Sequence, residues 1–230
     1  LFSLLPWGTI AFRYNLFSAV CVAAAAGVLM PAIHTIYPSV RLPAAVAAAL
    51  QFAFAPPVCR PAVIAEVYGL NLLLLAFFLL LWSRRGASPA AGLALGLAIT
   101  AHLTSLFFLP ALLISSRRQA WRSAAGVLLG LTPLLLLPLF AIGDSPIVWG
   151  KPTNAAGWWQ LVSGRLYAAN FQPARVLEQL PRLLSAIAFG PALLAGTARL
   201  SAPATRTLPH RPTGRWLAAT MLLYAAFALT

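Results

Sequence analysis

The sequence predicts an all-α, polytopic integral membrane protein, and three observations predict it. Of its 230 residues, 61% are hydrophobic and only 8% charged, whereas a soluble domain carries roughly a quarter charged residues. The mean hydropathy is +0.86, more apolar surface than a soluble fold can hide. The apolar residues also fall into runs of helix length with no polar face, as lipid-buried helices require.

The runs lie at about 14–33, 43–55, 61–82, 89–115, 124–142, 183–198 and from 216 to the end. A helix needs about 20 residues to cross about 30 Å of hydrocarbon, so the chain has room for about seven to eight membrane helices. Prolines stand at or near the starts of several runs, where a missing N–H does no harm. Residues 1–230 read as a single transmembrane domain in which 143–182 forms an extracytoplasmic loop. Leu1 is not an initiator residue and Thr230 ends within an apolar stretch, so the chain is expected to be a piece of a longer protein. No internal repeat is visible, which counts weakly against transporters built from duplicated halves.

The net charge of +13, from 16 Lys+Arg against 3 Asp+Glu, suits either nucleic acid or a membrane. The cations stand between the apolar runs rather than in one basic stripe, which favours topology over nucleic-acid binding. One set comprises Arg41, Arg84, Arg85, Arg117, Arg118, Arg122, Arg199, Arg206, Arg211 and Arg215; the other comprises Arg13, Arg60, Lys151, Arg165, Arg175 and Arg182. With the first set cytoplasmic the positive-inside rule is met, and Glu66, Asp144 and Glu178 fall at or beyond the outer side. One consequence is unusual. Both the Arg84–Arg85 pair and the Arg117–Arg118–Arg122 cluster must be inside, although a single apolar run, 89–115, separates them. A hairpin of two short helices turning near Ala101 and His102 meets this requirement; one long helix that breaks the rule is the alternative.

The two cysteines, Cys21 and Cys59, give no reason to expect a disulfide. No zinc-ligand spacing, phosphate-binding glycine loop, nucleophile elbow or dinucleotide fingerprint is present, so neither a metal nor a cofactor is expected. Candidate site residues therefore come from polar groups in apolar surroundings. Glu66 is the only acid in or beside a run before residue 143, and a carboxylate near lipid is paired or functional. Both readings stand: neutralisation by Arg13 or Arg60, or contact with substrate. Helical periodicity puts Glu66 with Gly69 on one side, and Tyr68 with Asn71 on roughly the other. His102, at the proposed turn, suits a phosphate oxygen or a backbone carbonyl equally. Arg13, Arg60, Lys151 and Arg165 are outer cations fit for a phosphate or for lipid headgroups. In the 143–182 loop, Trp149, Trp158, Trp159, Tyr167 and Phe171 read chiefly as interfacial anchors. His34 and His210 are expected to be solvated at cytoplasmic ends.

Several strings, taken together, resemble a known family: Arg13-Tyr14-Asn15-Leu16-Phe17-Ser18-Ala19, Ala62-Val63-Ile64-Ala65-Glu66-Val67-Tyr68-Gly69-Leu70-Asn71, His102-Leu103-Thr104, Trp149-Gly150-Lys151-Pro152-Thr153 and Val162-Ser163-Gly164-Arg165-Leu166-Tyr167. In this order they resemble the bacterial branch of the transmembrane protein O-mannosyltransferase family. The resemblance covers roughly residues 1–171, and the Glu-Val-Tyr string is its most specific part. It implies a GT-C glycosyltransferase, a helical membrane enzyme that moves a sugar, mannose in the type case, from a polyprenyl-phosphate donor to a protein or glycan acceptor. Transfer takes place on the extracytoplasmic face, here of a bacterial inner membrane. The resemblance further implies that the catalytic acid belongs to an Asp-Ser-Gly-Glu-like string upstream of Leu1. Arg13, Glu66, Tyr68, Asn71, His102 and Arg165 are the expected substrate-binding residues, with Arg60, Trp149, Lys151 and Tyr167 as a second set. The chain departs from the family pattern at Cys59, Ala101 and Phe140, where Trp, Asn and Arg are usual. The alternative function is a membrane transporter or lipid-handling protein without transfer chemistry.

Overall fold

Thr9 opens the first helix by accepting the Phe12 N–H at 3.2 Å, and α1 (Ile10–Ile36) then runs for 27 residues. The computed structural model describes residues 4–113, 117–142, 150 and 152–166. After Arg41 the chain returns as α2 (Leu42–Phe54). Pro56 holds Ala55 extended, because the residue before a proline avoids the helical region, and α3 (Pro56–Ala62) leaves α2 at 62°. A turn over 63–67 leads into α4 (Tyr68–Arg85), which ends on Gly86 at φ +65°. α5 (Pro89–Ala101) is capped by Ser88, whose hydroxyl accepts the Ala91 N–H at 3.3 Å. Next come a 3-10 helix (Leu103–Phe108), α6 (Leu109–Leu113), α7 (Arg117–Gly130), a second 3-10 helix (Thr132–Leu136), α8 (Leu137–Ala141) and α9 (Ala155–Val162).

Among the described residues every regular element is helical. Three stretches are long and apolar enough to cross a membrane: α1, α4 and the stretch from Arg118 through α8 to Ala141. Counting the bent α2–α3 pair as one span makes four. The runs 183–198 and 216 onward, part of the expected seven to eight, lie outside the described residues. One boundary needs correction. The run 61–82 is not one helix, because the chain leaves α3 at Ala62 and α4 begins only at Tyr68. Glu66 therefore stands in a turn, where its N–H donates to the Ile64 carbonyl at 2.8 Å, and it does not share a helix face with Gly69.

The direction of each helix follows from its contacts. Ser18 of α1 donates to the Glu66 carbonyl at 3.1 Å and lies against Gly69, and α1 and α4 remain packed together, so both start at the same end. The glycine turn sends α5 back along α4. α7 runs in the same direction as α5, because Gly92 faces Ser123, and Gly96 faces Val127 and Gly130. The chain between α5 and α7 must therefore descend again. It does so from His102: the Tyr68 and His102 rings lie 5.1 Å apart, Ser105 reaches Asn71, and Phe108 meets Phe78 edge-on at 6.0 Å. Residues 102–113 thus return toward the Arg85 end, giving a short-helix hairpin with its turn at His102.

The core lies between the hairpin and α4. Phe78, Leu95 and Leu112 are fully buried, with Trp82, Ala91, Ala98 and Phe108 around them. α5 and α7 meet backbone to backbone. A Cβ on Gly92 would strike the Ser123 carbonyl, and one on Gly126 the Pro89 carbonyl. Both helices carry glycines four residues apart, Gly92 with Gly96 and Gly126 with Gly130, the small-residue spacing that lets apolar helices approach closely. Gly126→Leu is expected to cost at least about 2 kcal/mol, read as a lowered thermal midpoint of the detergent-solubilised protein. Gly27→Ala is the control: a Cβ there meets nothing within 4 Å, so it should leave stability unchanged or raise it by up to about 1 kcal/mol.

Candidate functional site

The described arginines separate to the two ends of this bundle. Arg41, Arg84, Arg85, Arg117, Arg118 and Arg122 stand at the end where α1 and α4 finish and α5 and α7 begin. Arg13 in the first turn of α1, Arg60 in the last turn of α3, and Glu66 stand at the other end, together with His102. Arg165 joins them, because Gly164 lies against Leu103, a Cβ there coming 3.0 Å from the leucine Cδ2.

His102 is the hinge of this end. It closes α5, donating its N–H to the Ala98 carbonyl at 2.8 Å, and caps the following 3-10 helix. Its Nδ1 lies 2.7 Å from Thr104 Oγ1 and 3.4 Å from the Thr104 backbone N. A backbone N–H only donates, so Nδ1 accepts, and the neutral ring carries its proton on Nε2. Burial lowers the imidazole pKa from its ordinary value, because desolvation disfavours the cation. His102 lies outside the three candidate spans. The turn thus presents a neutral ring with an Nε2–H donor, suited to an oxygen acceptor.

Tyr68 packs on that ring at a 38° tilt. One turn further along α4, Asn71 is 1% exposed, and its Oδ1 accepts the hydroxyl of Ser105, which is 0% exposed, at 2.7 Å. This polar pair ties the start of the descending strand of the hairpin to α4, three residues beyond His102. Asn71 was a candidate from the sequence, whereas its partner Ser105 was not. The signal was its spacing of three from His102, one turn of a 3-10 helix, legible only once that helix is known.

The other candidates divide. The Arg13 guanidinium donates through Nε to the Trp7 carbonyl and through Nη2 to the Gly8 carbonyl, both at 3.2 Å, so it fastens the chain entering α1. Glu66, Arg60 and Arg165 are exposed, and among the described residues no ion pair is seen at Glu66. The turn before α4 holds Glu66 through its backbone N–H on the Ile64 carbonyl. Trp149, Lys151 and Tyr167 lie outside the described residues. Trp158 is not simply an interfacial anchor: it is half-buried and donates from Nε1 to the Leu134 carbonyl at 2.8 Å, whereas its neighbour Trp159 is 54% exposed. Cys59 lies partly exposed in α3, Ala101 ends α5 beside His102, and Phe140 is exposed on α8. Among the described residues no group of three or more His, Cys, Asp or Glu side chains is placed to hold a metal.

A helical bundle with three membrane-length spans, its helices broken at the His102 end, defines a membrane protein. The profile of the protein O-mannosyl-transferase TMEM260 N-terminal domain matches residues 1–124, more than half of the chain. The chain belongs to this protein O-mannosyltransferase family, and so to the glycosyltransferases. No curated protein and no solved structure matches it.

The Asn71–Ser105 bond yields a direct test. Ser105→Ala orphans a buried amide oxygen and is expected to cost about 1–3 kcal/mol, measured as a drop in thermal midpoint. Adding Asn71→Leu should cost less than the sum of the single changes, because the double variant leaves neither partner unpaired.

Proposed function

We propose that this protein transfers a sugar, mannose in the first instance, from a polyprenyl-phosphate donor to a protein or glycan acceptor at the extracytoplasmic face of a bacterial inner membrane, as a GT-C type enzyme. The observation that carries this reading is the coincidence of the family's strings in space. Residues of the Glu-Val-Tyr, His-Leu-Thr and Ser-Gly-Arg strings, distant in sequence, meet at one end of the bundle: Tyr68 on His102, and Gly164 on Leu103. That end is opposite the cluster Arg84, Arg85, Arg117, Arg118 and Arg122, which the positive-inside rule puts in the cytoplasm.

In this reading the chain's own residues bind and steady the donor. The His102 Nε2–H donates to a phosphate oxygen as charge develops on the departing lipid phosphate, an electrostatic role that grows toward the transition state. Arg165 and Arg60 add positive charge at the same end. Tyr68 and Asn71 set the walls, the first by packing on the imidazole, the second by holding the return strand. Glu66, exposed before α4, meets the sugar or the acceptor. Proton abstraction from the acceptor hydroxyl falls to an acidic residue upstream of Leu1, as general base.

The test incubates the full-length protein with polyprenyl-phosphate mannose and acceptor protein and measures sugar incorporation. His102→Ala is expected to lower the rate on the order of 100-fold, whereas wild-type rates in both His102→Ala and Glu66→Ala would remove them from the site. The pH profile carries a sign. The working ring is neutral and its pKa is lowered by burial, so the rate should hold as pH falls through the ordinary imidazole range. It should drop only at lower pH, once protonation takes the Nδ1 lone pair from Thr104. No transfer from any lipid-linked sugar would favour a non-catalytic lipid-handling relative. Orientation is separately measurable: a reporter fused after Arg118 should read cytoplasmic, and one fused at Asn154 external.

A further inference from the structure

We infer that Trp158 is a positioning residue: its indole N–H seats α9, and with it the Gly164–Arg165 turn, against the His102 hairpin by taking a carbonyl lone pair that Pro138 leaves open. The inference rests on the reading that the His102 end is the transferase site.

The argument begins at the break after α7. In the 3-10 segment Thr132–Leu136, the Leu134 carbonyl accepts the Leu137 N–H. An α-helix would also offer it the N–H of residue 138, but Pro138 has none. A carbonyl has two lone pairs, and the second receives the Trp158 Nε1–H at 2.8 Å. Leu135, Leu136 and Leu139 around the break are exposed and apolar, the composition of a lipid-facing surface, where an unfilled backbone acceptor has no water to turn to. Indole N–H is a donor only, so this contact has one sense and one partner. It fixes α9 at a single point on the bundle.

A second contact fixes the other end of the segment. Asn154 caps α9 by accepting the Gly157 N–H at 2.8 Å, and the helix runs out at Val162 into Gly164 at φ +73°. There the chain has no side chain and lies against Leu103, with room for a Cβ only at 3.0 Å from the leucine Cδ2. Leu103 follows His102 directly, and Arg165 follows Gly164. Residues 158–165 are thus held at both ends, by Trp158 on the broken helix and by Gly164 on the His102 turn, and the seating of α9 brings Arg165 to the same end of the bundle as the imidazole. Trp158 touches neither ring nor substrate in this account and acts through the segment it holds.

Trp158→Phe keeps an aromatic ring and removes only the donor. In the full-length protein it should leave the thermal midpoint near wild type while amide hydrogen exchange across α9 speeds up about tenfold, the scale of one lost hydrogen bond. The KM for polyprenyl-phosphate mannose should rise by a similar factor with kcat little changed. Pro138→Ala restores a backbone N–H to compete for the same carbonyl and should also speed exchange across α9. Trp159→Phe, at an exposed ring, should change neither readout. Unchanged exchange in Trp158→Phe overturns the seating. Faster exchange with an unaltered KM overturns the positioning role while leaving the transferase reading intact. Absence of transfer even by the wild type strikes the transferase reading alone, and faster exchange in both Trp158→Phe and Pro138→Ala would then still support the seating.

Discussion

Backbone contact between α5 and α7 settles the course of the chain around it. Helices can come this close only where side chains are missing, and Gly92, Gly96, Gly126 and Gly130 supply the gaps in matching register. That register makes the two helices run the same way. Two successive helices in one direction need a return path, and the residues between Ala101 and Arg117 must make it, His102 to Leu113 among them. The turn is therefore forced to the end opposite Arg84, Arg85 and Arg117. In lipid, where burying apolar surface gains little between helices, such close packing is a main source of cohesion. The position of the imidazole is thus a consequence of glycines half a bundle away.

Three polar side chains reach across the bundle to backbone carbonyls: Ser18 to that of Glu66, Thr100 to that of Gly130 at 3.0 Å, and Trp158 to that of Leu134. Each meets the chain at or beside a place where it departs from continuous α-helix. Asn71 with Ser105 is different, one side chain paired with another in full burial. Helix breaks are costly in apolar surroundings, and this chain has them at Ala55, at 63–67, at His102 and after Gly130. The last three cluster at one end, where irregular backbone brings together strings far apart in sequence. The polar chemistry stands where the helices fail, supported by side chains that make the failure tolerable.

Much of this was legible in the sequence. The apolar runs located α1, α2, α5 and most of α4, and the arginine tally favoured a reversal near His102 over one long helix. The break before α4 was not legible. Val63, Ile64, Ala65, Glu66 and Val67 contain neither glycine nor proline, and the Ser18 hydroxyl that meets the Glu66 carbonyl in the break comes from 48 residues away. The same limit hid the role of Trp158. A tryptophan in a polar loop reads as an interfacial anchor until Pro138, twenty positions earlier, is seen to leave an acceptor open. Nothing local in the sequence reports that the Arg13 guanidinium donates to the carbonyls of Trp7 and Gly8.

The hairpin also has a length. The 13 residues of α5 rise about 20 Å at 1.5 Å each, and the return, 6 residues of 3-10 helix and 5 of α-helix, covers nearly the same at 2.0 and 1.5 Å per residue. α1 is longer. Its Ser18 lies level with Gly69 at the start of α4, and the stretch from Ile10 to Ser18 rises about 12 Å further. The His102 turn, level with Tyr68, is therefore overtopped by the first turns of α1 rather than flush with them.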